Sequence, residues 1–380
     1  MQTHSSKAFT GPSPEIAPFI MQFQKGLLGQ VASSLPLLTQ LTQYYIRQPS
    51  KRMRPHMIFL MCQATNGLGS DWHVKLLEAQ ASALDSQSEG VFSEDVLPSQ
   101  INLAQAIEMI HVASLLHDDV IDNAETRRGT PSAPAAFGNN HTILGGDFLL
   151  GRAMALAASL RSPEVMILVS QAVCTLVEGE LLQSGAIDKL QSRGNALEAM
   201  VLQRILQTHP DDTELAKLWE DYLRKTYMKT ASLFAHALQS AVILGGVNGD
   251  QRWRAVAASY GERLGIAFQL MDDLLDFEGD PDKLGKPANA DLNLGLATAP
   301  VLFALQEDHD LRPLVLRRFK HAGDVEEAVE CVRSTRALAR TRELAELYAE
   351  KAREAISPLP HSVAKDGLMH LTAAVLMRQN

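Results

Sequence analysis

The chain has 380 residues, 46% of them hydrophobic, with 35 Lys plus Arg against 44 Asp plus Glu, a formal net charge of −9. That apolar content excludes wholesale disorder, and the acidic balance argues against a nucleic-acid binder, which carries a basic surplus or stripe. Three widely spaced cysteines, Cys62, Cys174 and Cys331, form neither a zinc pattern nor a disulfide framework and fit a reducing compartment.

The first residues, MQTHSSKAFTGPSPE, lack the apolar core of a secretory signal and make a poor transit peptide, and 1–14 is expected to be disordered. Gln48-Pro49-Ser50 breaks the pattern before Lys51-Arg52-Met53-Arg54-Pro55, which opens a helix through Ala64. Pro55 suits a first helical turn, whose unpaired N–H groups favour anions. Residues 85–100 read as a polar loop. The row Ile101, Ala104, Ala106, Ile110, Ala113, Leu116, Val120 predicts one helix from Ile101 to Asp122, followed by a loop in RGTPSAP. Ser162-Pro163-Glu164 supplies a cap, a first-turn proline and an acid for a helix over Val165–Gln183. Further helices are predicted over Ala196–Gln207, Asp211–Leu244, Gln251–Phe277, Val325–Ile356 and His361–Met377, with an irregular region from Asp280 to Asn293. No β-branched run has period 2, so the class is all-α. No break looks like a linker, so 1–380 reads as one domain, with 85–100 and 184–221 as surface insertions. No uncharged apolar stretch is long enough to predict a membrane span.

Two segments echo each other: Leu116-His117-Asp118-Asp119-Val120-Ile121-Asp122 and Leu270-Met271-Asp272-Asp273-Leu274-Leu275-Asp276. Each is DDxxD near the C-terminal end of an apolar helix. Positions i and i+4 share a face, so Asp118 stacks with Asp122, and Asp272 with Asp276. Like charges on one face, at the helix end that disfavours negative charge, call for a compensating cation. Oxygen-only ligands point to Mg²⁺ or another hard ion, shared with substrate phosphates and waters. One copy alone would read as a solvated acidic helix end. The second copy, with basic residues nearby, turns the reading to a metal–diphosphate site. The nearby basic residues are Lys51, Arg54, Arg127, Arg128, Lys225, Lys229 with Thr230 beside it, and Lys286, of which Lys51, Arg54, Arg127, Arg128 and Lys229 read as ligands rather than solvated charges. Arg52 is free to face solvent.

KRMRP, HDDVIDNAETRRGTP, HTILGGDFLLGRA, YMKTASLF, FQLMDDLLDFEGD and GKPANADLNLGLATAPVLFA closely resemble, in order, the motifs of the trans-isoprenyl diphosphate synthases, or polyprenyl synthetases. The resemblance runs from about residue 45 to 307, and Ser50 replaces the usual Gly of the first motif. LLHDDVID and GKPANADLNLGLATAP look most like the long-chain enzymes that make quinone side chains, ubiquinone above all. The resemblance implies the isoprenoid synthase fold, helices around a central catalytic cavity. It assigns Asp118, Asp119 and Asp122 to Mg²⁺ holding the allylic diphosphate, and Asp272, Asp273 and Asp276 to a further Mg²⁺ on the opposite wall, with Asp272 and Asp276 as direct ligands. Lys51, Arg54, His111 and Arg128 match positions that bind isopentenyl diphosphate. Arg127, Lys229, Thr230, Gln269 and Lys286 match positions near the allylic diphosphate. By itself His111 would be a core or capping histidine, and Gln269 would satisfy backbone groups.

The chemistry implied is ionisation of an allylic C–O bond, head-to-tail attack by the isopentenyl double bond, and loss of a proton. Ser114 and Ala113, four and five residues before Asp118, are small, which leaves the product channel open where a bulky residue would close it. The expected product is roughly C30–C50. Alternatives are a short-chain farnesyl or geranylgeranyl diphosphate synthase, a class I terpene cyclase, disfavoured by the intact DDLLD and KRMRP, and a non-catalytic subunit of a heteromeric synthase. The resemblance also implies a homodimer, about three Mg²⁺ ions per site, peripheral membrane contact by the apolar product, and a mitochondrial location.

Overall fold

The central helix carries the first aspartate motif and packs on six others among the described residues. The computed structural model describes residues 14–85, 93–184, 196–206, 212–247, 250–279 and 289–378. Its N-terminal helices are α1 (Ala17–Gln30), α2 (Pro36–Ile46), α3 (Met53–Thr65) and α4 (Trp72–Asp85), followed by the central α5 (Pro98–Ile121). A two-residue ladder pairs β1 (Thr126–Arg127) with β2 (Thr130–Pro131). Then come α6 (Ala133–Phe137), α7 (Asn139–Ser159), α8 (Pro163–Ser184), α9 (Ala196–Ile205) and α10 (Thr213–Thr226). A π turn over Tyr227–Ala231 joins α10 to α11 (Ser232–Leu244), and α12 (Gln251–Glu278) carries the second motif. The C-terminal third holds α13 (Ala290–Asn293), α14 (Ala299–Glu307), a 3₁₀ turn (His309–Leu311), α15 (Arg312–Leu316), α16 (Asp324–Ser334), α17 (Ala337–Ala355) and α18 (Val363–Leu376). The all-α expectation holds among the described residues, apart from the β1–β2 pair.

α5 begins where Pro98 sets the first turn and the Leu97 N–H donates to Gln100 Oε1 at 2.9 Å. The Gln100 amide in turn donates to Asn66 Oδ1 at 2.9 Å and to the Ala241 carbonyl at 3.0 Å, locking α5 to the ends of α3 and α11. The helix stops at Asn123, which takes a left-handed φ of 52°. α5 packs on α1, α3, α6, α7, α8 and α11, and α12 packs on α11 and α17. Gly261 and Gly265 let α12 lie against α11 and the π turn. A Cβ on Gly265 would come 2.5 Å from Ala231 Cα, and one on Gly261 2.8 Å from Ala235 Cα. This contact brings the second motif opposite the first.

Several sequence expectations need correction. Val96 and Leu97, inside the expected 85–100 insertion, are buried, and so are Leu215 and Trp219 inside 184–221. Trp219 sits edge-on to Phe303 of α14, 4.6 Å between centroids, so α10 is a core helix. The long helix expected over Asp211–Leu244 starts at Thr213 and contains the π turn. The one expected over Val325–Ile356 breaks at Thr335 and Arg336. α8 is long and apolar enough by composition to cross a membrane, contrary to expectation, yet it packs on α7, α11 and the π turn. Residues 1–13 lie outside those described.

Candidate active site

One cavity of about 1060 Å³ opens between α5, α10, α12 and the loop before α3. Its α5 wall is the stripe Glu108, His111, Leu115, Asp118, Asp122, spaced alternately three and four residues apart, with Ser114 beside it. Burial pushes the Asp118 carboxyl up to about 7, with Lys229 opposing and with Glu180 and Asp122 adding like charge. Asp122 is raised for the same reasons. Lys229 Nζ lies 2.5 Å from Glu180 Oε2, so α8 delivers a third acid to this corner. The i, i+4 expectation for Asp118 and Asp122 is therefore met in space.

Asp119 behaves differently. It is 1% exposed, and its carboxylate accepts from Arg127 Nε at 2.8 and 2.9 Å, from Arg127 Nη2 and from the Tyr45 hydroxyl. The Tyr45 oxygen also accepts from the Ala133 N–H at 2.7 Å. Burial alone would lower the Arg127 pKa, but the Asp119 hydrogen bond raises it overall. Thus the middle acid of the motif anchors the β1–β2 hairpin rather than facing the cavity. The expected metal ligand Asp119 and the expected phosphate contact Arg127 are bound to each other.

The basic wall holds Lys51, Arg54, Arg128 and His111. Burial lowers the Arg54 pKa to about 10 despite Glu108 and Asp272. Its Nε is buried without a hydrogen-bond partner among the described residues, and its guanidinium lies 5.1 Å from the Phe234 ring centroid. A buried orphan donor in a cavity fits an anionic ligand. Burial, then Arg54, Arg128, Arg127 and Arg52, drive the His111 pKa well below its ordinary value, so the ring is neutral at pH 7. Arg52 does not face solvent. It takes a left-handed φ of 48° and donates to the buried Glu108 at 2.8 Å, which turns it inward between Lys51 and Arg54.

On the α12 wall, Asp272 lies 2.8 Å from Arg378 Nη1, whose guanidinium stacks 4.1 Å from the Phe268 centroid. Asp273 accepts from the Tyr222 hydroxyl at 2.6 Å and from Gln269 Nε2 at 3.0 Å. Burial, then Asp291, raise its carboxyl to about 6. Gln269 also accepts from Thr230 Oγ1 at 2.9 Å, so it bridges two site residues rather than capping backbone. Asp276, expected as a metal ligand, is 1% exposed and accepts from the Ala290 and Asp291 N–H groups, each at 3.2 Å. It holds the start of α13 and does not line the cavity. Ala113 is fully buried and also absent from the cavity wall, because 111, 115 and 118 point the other way on α5. Lys286 lies outside the described residues.

Sequence reasoning missed Tyr45, Glu108, Glu180, Tyr222, Asp291 and Arg378. Only Asp291 carried a signal, as an acid in the GKPANADLN block after the second motif. The others join the site through contacts distant in sequence.

Among the described residues no three His, Cys, Asp or Glu side chains converge into a metal cage. The donor set of Asp118, Asp122, Asp272 and Asp291 is all oxygen, and a cation there would offset the burial and like charge that raise Asp118. It fits a hard divalent ion, for which these carboxylates would supply part of the ligand set.

The polyprenyl synthetase family profile matches residues 35–332. The hexaprenyl pyrophosphate synthase of Saccharomyces cerevisiae, a mitochondrial protein, is 36% identical over 93% of this chain and 88% of its own length. The decaprenyl-diphosphate synthase subunit 1 of Schizosaccharomyces pombe is 38% identical over 94% of this chain and 89% of its own. A crystal structure of the Caulobacter crescentus polyprenyl synthase, complexed with calcium and isoprenyl diphosphate, superposes with a TM-score of 0.75 at 26% identity, covering 96% of both chains. With two aspartate helices facing a basic wall across one cavity, and with kinship along nearly its whole length, this chain belongs to the polyprenyl synthetase family.

Proposed function

We propose that this chain condenses isopentenyl diphosphate head-to-tail onto an allylic diphosphate, with Mg²⁺, to give an all-trans product of roughly C30–C50 for the ubiquinone side chain. The observation that carries this is the opposition, in one cavity, of a basic wall, where Arg54 Nε is buried without a partner among the described residues, to acids on two facing helices. When bound, Mg²⁺ neutralises charge developing on the leaving diphosphate. Asp118 and Asp122 on one side, and Asp272 on the other, would hold the metal, about three ions per site. Lys229 moves from Glu180 towards the incoming phosphate oxygens. Lys51, Arg54 and Arg128 hold the isopentenyl diphosphate, and neutral His111 donates a hydrogen bond without adding charge. The ionised allyl group lies over Thr230 and Gln269, the double bond attacks, and the released diphosphate takes the proton. Leu115 and Phe268 help keep water from the cation.

Ile167, Val177 and Leu181 lie exposed on α8 and Leu144 on α7, and this apolar face suits a second copy of the chain. The apolar product suits transient contact with a mitochondrial membrane. A second reading is favoured by one specific likeness: the fission-yeast relative is named as a subunit, so turnover here can require another chain. The test is diphosphate release by the purified chain with Mg²⁺, farnesyl diphosphate and isopentenyl diphosphate, and mass spectrometry of the product. Release with a long-chain product supports the reading. Release only after adding a second polypeptide favours the subunit reading, and a cyclic hydrocarbon product would sink both.

A further inference from the structure

Lys225 and Lys229 are four residues apart, a spacing that puts two side chains on one face of a regular α-helix. Here both line one cavity, but with different neighbours. The π turn over Tyr227–Ala231 lies between Lys225 and α11 and changes the helical phase across the pair. Lys229 points to Glu180 and the first motif. Lys225, in the last turn of α10, lines the cavity beside the second motif. Its Nζ lies 5.6 Å from the centroid of Tyr222, whose hydroxyl is committed to Asp273. Asp273 and Asp291 are the acids that most favour its charged form against burial, with Lys229 opposing and Glu180 adding to them. Yet among the described residues Lys225 donates no hydrogen bond and forms no ion pair. An ammonium carries three donors, and here they stand open to whatever fills the cavity. A lysine serving only as a counter-charge would close on a carboxylate, as Lys229 does on Glu180.

We infer that Lys225 is a diphosphate-binding residue, whose ammonium takes an oxygen of the diphosphate held at the second aspartate helix, as Lys229 does at the first. The inference rests on the reading of this cavity as a diphosphate site. It makes Lys225 a resident cation on the wall where Asp272, Asp273 and Asp291 gather.

The test is calorimetric titration of the full chain with inorganic pyrophosphate in Mg²⁺, for the native protein, Lys225→Met and Lys225→Arg. Methionine keeps the unbranched stem of the side chain and removes the ammonium. Lys225→Met is expected to weaken pyrophosphate binding about tenfold or more, and Lys225→Arg to recover most of it. In steady-state assays KM for the allylic substrate rises, while KM for isopentenyl diphosphate stays near native. Native affinity in Lys225→Met, or a gain in Mg²⁺ affinity with pyrophosphate binding unchanged, would overturn the inference and leave the enzyme reading standing. A native chain that fails to bind pyrophosphate overturns that reading, and this inference with it. If Lys225→Met does not fold, reductive methylation of the native protein decides. Pyrophosphate should shield Lys225 from labelling, as read by peptide mass spectrometry, and equal labelling with and without it overturns the inference.

Discussion

Arg127 grips Asp119 through Nε at 2.8 and 2.9 Å, in the middle of a motif whose flanking acids face the cavity. The three aspartates of one DDxxD therefore divide into two duties. Breaking a buried pair by removing one charge strands the other, at about 3 kcal/mol. Asp119→Asn should lower the melting temperature of the empty protein and loosen the β1–β2 hairpin. Asp118→Asn should leave stability unchanged or raised, because it removes a carboxyl that burial already disfavours, while turnover collapses. Equal melting temperatures for the two variants would contradict this division.

The raised carboxyl of Asp118 gives a pH dependence with a definite sign. Its folded value of about 7 lies above the ordinary 3.8. Over that interval the folded chain keeps a proton that the unfolded chain has lost, so this group's contribution to stability falls as pH rises. Asp273, raised to about 6, acts in the same direction. Cation binding at these acids should release protons near neutral pH. Calorimetry of Mg²⁺ with pyrophosphate in two buffers of different ionisation enthalpy measures that release, and an identical apparent enthalpy in both would refute it.

Ser114 lines the cavity and Ala113 does not. Ser114→Phe should place a ring across the channel and shift the products to shorter chains, as read by reversed-phase chromatography. Ala113→Phe should overfill the packed interior, costing about 1–3 kcal/mol, with less effect on product length among molecules that fold. The reverse ranking would move the channel to the other side of α5.

Gly265 governs how closely α12 approaches the π turn. Gly265→Ala puts a Cβ 2.5 Å from Ala231 Cα. The backbone must give way, at about 1–3 kcal/mol, and Thr230 moves away from Gln269. The expected outcome is a fall in kcat larger than any change in KM. Native kcat in a folded variant would show that this approach is not needed for chemistry.

How far the site was legible follows from the range of each contact. Asp118 and Asp122 share the cavity as helix periodicity requires, because both act through positions on one helix. The same rule fails for Asp272 and Asp276, because the chain returns at Ala290 and Asp291 and offers Asp276 two backbone N–H groups. No local pattern announces that return. Arg52 looked like a surface charge because its partner, Glu108, lies 56 residues away. The π turn in YMKTA carries no Gly or Pro, so its sequence reads as plain α-helix. α10 shows Leu215, Trp219 and Tyr222 at helical spacing, all buried, a core stripe hidden inside what otherwise resembles an insertion.

α8 presents Ile167, Val177 and Leu181 outward and Glu180 inward to Lys229. A helix moves as a rod, so whatever seats itself on the outer face also sets the height of Glu180 inside. A small slide or roll of α8 would loosen or tighten the hold on Lys229 before any substrate arrives. The carboxylate that holds Lys229 at rest and the apolar face turned to the outside thus belong to one rigid element.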